Sequence, residues 1–120
     1  MRRGEIWLAR LNPNTGAEAG KVRPVLILLD DALLATGMSP ILCIPLTSKL
    51  FKNLAGLRIA IEPRGRLLKR CYAMPEQARA LDLDRFGDIP LATLTQEEMA
   101  QVERLFLTAC GMAQYLTPRH

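Results

Sequence analysis

Hydrophobic positions along the first two thirds of the chain come in short bursts separated by turn residues. The bursts are "EIWLARL" (Glu5 to Leu11), "PVLILLD" (Pro24 to Asp30), "ILCIPLT" (Ile41 to Thr47), "LRIAIE" (Leu57 to Glu62) and "CYAMPEQARAL" (Cys71 to Leu81). Each has the length and bounding residues of a β-strand. "LRIAIE" alternates, which puts Leu57, Ile59 and Ile61 on one face, whereas "VLILL" and "ILCI" are apolar throughout, as strands covered on both sides are. Strands this close, with no long helical pattern between them, predict antiparallel pairing in a small barrel or sandwich. "DDALLATG" and "DLDRFG" each have room for one helical turn. Near the end the period changes. Thr95 and Glu98 have capping-box spacing, and Met99, Val102, Leu105, Phe106, Ala109, Met112, Ala113 and Leu116 then recur at helical spacing. They predict an amphipathic helix of about five turns, packed on the barrel or on a partner subunit.

With 120 residues, 49% of them hydrophobic and 23% charged, the chain has material for one core, and the reading is a single domain over 1–120. The longest aliphatic run, Val25 to Leu29, is far short of the roughly 20 residues of a membrane span. Glu5 and Arg10 interrupt any signal-peptide core in "MRRGEIWLAR", so a cytoplasmic protein with no membrane contact is expected. Cys43, Cys71 and Cys110 are far apart and lack zinc-site spacing, which reads as reduced core thiols. The one histidine is His120. No metal, no cofactor and no histidine dyad are expected. The formal charge of +4 leans toward a polyanionic partner. Its distribution sharpens this, because Lys21, Arg23, Lys49, Lys52, Arg64, Arg66, Lys69 and Arg70 sit largely in loops between apolar runs.

Candidate chemistry starts at "GKVRPVLILL". Pro24 fixes its own φ and holds Arg23 in extended backbone, which aims a guanidinium from a strand entrance. Thr47, in "PLTS", ends a strand whose Pro45 favours a bulge and a Ser/Thr turn. On a regular strand Gln77 and Arg79 share one face and Glu76 the other, unless a bulge at Pro75 re-aims one of them.

The stretches "RGEIWLARLNPNTGAEAGKVRPVLIL", "IPLTS" and "EQARALDLDRFG", followed by the C-terminal helix, closely resemble the MazF/PemK family of toxin endoribonucleases, or mRNA interferases, from Arg3 to about Leu116. The resemblance implies an SH3-like, CcdB-MazF-like antiparallel barrel with a C-terminal amphipathic helix, acting as a homodimer. It implies metal-independent, sequence-specific cleavage of single-stranded RNA, leaving a 2′,3′-cyclic phosphate and a 5′-OH. It also implies inhibition by a MazE/PemI-like antitoxin whose extended segment lies over the RNA groove. Arg23 matches the family's catalytic arginine, and Thr47 its second commonly catalytic position, with Ser48 beside it. Glu76, Gln77 and Arg79 match the "(D/E)-Q-x-R" motif, Glu76 as a possible base and the other two as RNA contacts. Some relatives support that acid with an arginine two residues earlier and a histidine in the first loop, where this chain has Met74 and Ala17. In that loop Gly16 and Glu18 match the family pattern, and the segment is either a gate that orders on RNA or antitoxin binding or a mobile connection. Lys21 and Lys49 are further RNA-contact candidates by charge, or solvated side chains. Trp7 reads as core packing. Two other functions fit a related fold: a non-enzymatic poison of DNA gyrase, and a weakened toxin that serves with its antitoxin as a DNA-bound autorepressor.

Overall fold

The structure, a computed structural model, describes residues 1–12 and 21–116. Its strands are β1 (Glu5–Arg10), β2 (Val22–Ile27), β3 (Ile41–Thr47), β4 (Ile59–Ile61), β5 (Cys71–Ala73), β6 (Arg79–Leu81) and β7 (Phe86–Thr93). Among the described residues two helices, α1 (Asp31–Leu34) and α2 (Gln96–Ala109), and short 3₁₀ turns make up the rest of the secondary structure. The strands pair antiparallel in the order β4-β5-β3-β2-β1-β7, and β6 adds to β3 beyond β5. The curled sheet is the expected SH3-like barrel, but among the described residues no continuous ladder closes it. The β4–β5 hairpin instead folds back on β7, where Arg66 N–H donates to Leu91 O at 2.7 Å.

Burial follows the sequence pattern. Ile59 and Ile61 are buried while Ala60 between them is exposed, and Leu26, Ile27 and Ile44 in the central strands are fully buried on whichever face they occupy. The largest cluster joins Ile6, Leu26, Ile44, Leu46 and Ile61 to Met99 and Val102 of α2, so the helix stripe closes the core. Trp7 packs with Ile27 and Ile41, and its indole N–H donates to Glu5 Oε1 at 3.1 Å. The capping box at Thr95 and Glu98 forms in both directions.

Five details differ from the sequence reading. Leu57 ends a 3₁₀ turn at Lys52–Leu57, so β4 begins only at Ile59 and Leu57 is not on its face. "CYAMPEQARAL" is not one strand. Met74 N–H still donates to Pro45 O, but pairing to β3 then resumes as Cys43↔Arg79, so Pro75–Gln77 are looped out as a 3₁₀ turn. No bulge forms at Pro45, which stays in register opposite Val25. "DLDRFG" contributes its helical turn at Leu83–Arg85 and then runs into β7, which was missed because Gly87 and Pro90 interrupt it and no alternating face is deeply buried. Finally, α2 stops at Ala109. Gly111 takes φ +76°, a left-handed stop, and the chain continues as a separate 3₁₀ turn at Ala113–Tyr115.

Candidate active site

Arg23 and Thr47 are far apart in sequence and adjacent in the sheet. β2 and β3 pair as Val25↔Pro45, Leu26↔Ile44 and Ile27↔Cys43, and the same register carried two residues further brings Arg23 level with Thr47. Pro24 is tolerated there because β2 pairs only with β1 until Val25. Arg23 therefore lies inside the strand, not ahead of it. Both residues line a groove of about 530 Å³ together with Lys21, Ser48 and Lys49. Thr47 makes the expected turn, its Oγ accepting from Lys49 N–H at 3.2 Å. That bond uses a lone pair and leaves the hydroxyl proton free to donate.

The opposite wall is the β4–β5 hairpin, through Arg66, Leu68 and Lys69, and the floor is apolar, with Leu46, Leu67 and Cys71 buried beneath it. Among the described residues every charged side chain on the lining is a cation: Lys21, Arg23, Lys49, Arg66 and Lys69. A low-polarity floor beneath converging cations strengthens their pull on a phosphate.

Glu76, Gln77 and Arg79 are not among the lining residues. Glu76 sits in the looped-out turn and accepts a 2.6 Å ion-paired hydrogen bond from Arg58, whose side chain is only 4% exposed. Gln77 Nε2 reaches the other carboxylate oxygen at 3.4 Å. Partial burial pushes the Glu76 carboxyl up, but the Arg58 bond and charge, with local hydrogen bonds, outweigh it and hold the group below the usual carboxylate value. Arg58 was missed in the sequence. The pairing Ile59↔Ala73 continues to set it opposite Met74, so the guanidinium absent at Met74 arrives from the neighbouring strand. Arg66 and Lys69 were visible only as part of a basic turn. Arg79, exposed on β6 opposite Cys43, carries its charge outside the groove.

Burial pushes the Cys43 thiol up to about 12 against the opposing charge of Arg79, and it pushes Cys71 up against Lys69. Both are protonated core thiols, whereas Cys110 is exposed, contrary to the reading of all three as core. Gly16, Ala17, Glu18 and His120 lie outside the described residues. Among the described residues no helix is long and apolar enough to cross a membrane, and no three His, Cys, Asp or Glu side chains converge as metal ligands.

A profile of the PemK-like, MazF-like toxins of type II toxin-antitoxin systems matches residues 2–109. The chain belongs to this family. Among curated proteins it is 32% identical over 107 residues to Endoribonuclease MazF9 of Mycobacterium tuberculosis, covering 86% of this chain and 90% of the relative. Solved toxin structures share the fold at lower identity. The MazE-MazF complex of Deinococcus radiodurans (Form-II) superposes with a TM-score of 0.76 at 20% identity, covering 93% of this chain and 96% of that one. The toxin MazF-mt6 of Mycobacterium tuberculosis gives 0.73 at 15% identity, over 90% and 97%. In this toxin, then, two of the segments that carry the family likeness, "VRP" and "PLTS", meet at one groove.

Proposed function

We propose that this toxin is an endoribonuclease that cuts single-stranded RNA at short sequences, without a metal ion, in the groove between β3 and the β4–β5 hairpin. The observation that carries the reading is the convergence of Arg23 and the free Thr47 hydroxyl on a groove whose charged lining, among the described residues, is wholly cationic. Such a lining draws in a phosphodiester, and among the described residues it offers a divalent cation no anionic ligand. In the reaction the ribose 2′-OH attacks the adjacent phosphorus, the P–O5′ bond breaks, and the products are a 2′,3′-cyclic phosphate and a 5′-OH. The planar fork of Arg23 binds the non-bridging oxygens and meets the charge that grows on them in the transition state. Thr47 donates a hydrogen bond to one of them, and Lys21, Ser48 and Lys49 hold the strand in line for attack. The 2′-OH proton passes to solvent base and the leaving O5′ takes one up. Glu76, paired to Arg58, shapes the turn and does not serve as the base.

The MazF9 relative is named an endoribonuclease, and its 32% identity supports the same reaction here. Structural neighbours from Deinococcus radiodurans and a mycobacterial species are titled as complexes with MazE or a cognate antitoxin. That supports an antitoxin partner here; an extended antitoxin segment lying over this groove and a homodimeric working unit are what the family resemblance implies. The test is cleavage of a long RNA of known sequence with EDTA present. Cuts at a recurring short sequence are expected, and a 2′-deoxy substitution at the scissile nucleotide should block them. Arg23→Ala should lower the rate by at least about 10²-fold while the melting temperature holds. Cleavage that survives either change rejects the mechanism.

A further inference from the structure

The β4–β5 hairpin carries four cations in seven residues, Arg64, Arg66, Lys69 and Arg70, and the structure divides them into two pairs with different work. Arg64 is committed to the fold. Its guanidinium grips Glu98 of α2 with two bonds of 2.5 and 2.7 Å, and its Nε donates to Glu62 O. Arg70 is committed as well, bonded to Glu62 at 2.9 Å and lying 5.5 Å over the Tyr72 ring. Arg66 and Lys69 make no ion pair with any described residue, are exposed, and line the groove.

The backbone between them is fixed. Gly65 takes φ +53°, Arg66 N–H bonds Leu91 O, and Leu67 is buried at 4% exposure. Cations on a backbone held this firmly lose little freedom when they bind. Between the two cations Leu68 is 83% exposed, an apolar side chain that solubility alone would not place there. It offers a surface to the face of an unstacked base.

We infer that the β4–β5 hairpin is a phosphate clamp, in which Arg66 and Lys69 hold the phosphates flanking the scissile bond across the groove from Arg23. The inference rests on the endoribonuclease reading above and assigns the backbone contacts of that same substrate. Each neutralised phosphate of a single strand contributes about 0.7 to the slope of log affinity against log salt.

The experiment measures binding of an RNA made uncleavable by a 2′-deoxy residue at its cut site, across a salt series. Arg66→Gln/Lys69→Gln should bind at least 10-fold more weakly at low salt, with a slope shallower by about 1.4. Arg2→Gln/Arg104→Gln, which removes the same charge from exposed sites that do not line the groove, should keep the wild-type slope. Should the double variant not fold, Lys69→Gln alone, at an exposed position, should lower the slope by about 0.7. An unchanged slope in the groove variants, or an equal change in the remote control, overturns the clamp. Wild-type protein that neither binds nor cuts RNA overturns the endoribonuclease reading instead, so the two failures are distinct.

Discussion

A carboxylate that already holds a nearly buried guanidinium is a poor proton acceptor, because taking up the proton breaks the pair. Glu76 is in that state through Arg58. General-base catalysis works best with a pKa near the operating pH, so the lowered Glu76 carboxyl suits positioning better than proton transfer. The cleavage rate measured in single turnover should therefore rise log-linearly between about pH 5 and 8. A plateau across that range would restore Glu76 as the base. Glu76→Gln should cost about 1–3 kcal/mol in denaturant unfolding, since it leaves Arg58 without its charge partner. At Thr47 the hydroxyl itself is the test. Thr47→Val should lower the rate by about 10²-fold, while Thr47→Ser keeps it within a few fold. Arg23 and Thr47 were legible because each sits in its own short motif at the end of an apolar run. Arg58 was not, since its partnership depends on the β4–β5 register, which no local pattern of residues specifies.

At the scale of elements, one side chain ties two of them together. Glu98 accepts from Thr95 N–H to cap α2 and from Arg64 to hold the hairpin. The Arg64 bond lowers its pKa most, burial opposes, and the Thr95 backbone bond and the Arg64 charge add to the lowering. A carboxyl lowered in the folded state gives stability that is present above its unfolded value of 4.5 and lost as pH falls through the folded one. Melting temperature should thus fall below about pH 4.5, and Glu98→Gln should flatten that acid limb while lowering stability at neutral pH. Gly65 is the hairpin's other constraint. An added Cβ would lie 2.8 Å from Leu91 O at a φ of +53°, so Gly65→Ala should cost more than about 1 kcal/mol and weaken RNA binding with it. The strands read correctly from sequence were those with a buried face. The split at Pro75–Gln77 and the whole of β7 were hidden, because exposed or interrupted strands leave no periodic trace.

Across the whole molecule, charge is unevenly placed. Among the described residues the groove is lined by five cations, whereas the chain's net formal charge is only +4, so the remaining residues together sum to about −1. In the free protein these cations repel one another over an apolar floor, and the folded state carries that cost until an anion arrives. Any polyanion that binds the folded groove and not the unfolded chain raises stability by mass action, about 2.7 kcal/mol at a hundredfold excess over Kd. Heparin should therefore raise the melting temperature of the wild-type protein, and by less when Arg66 and Lys69 are both replaced by Gln. If RNA binds as proposed, the occupied toxin is the more stable form and the empty one the more easily unfolded, so the cationic lining that would receive RNA also makes the toxin's stability depend on its partner.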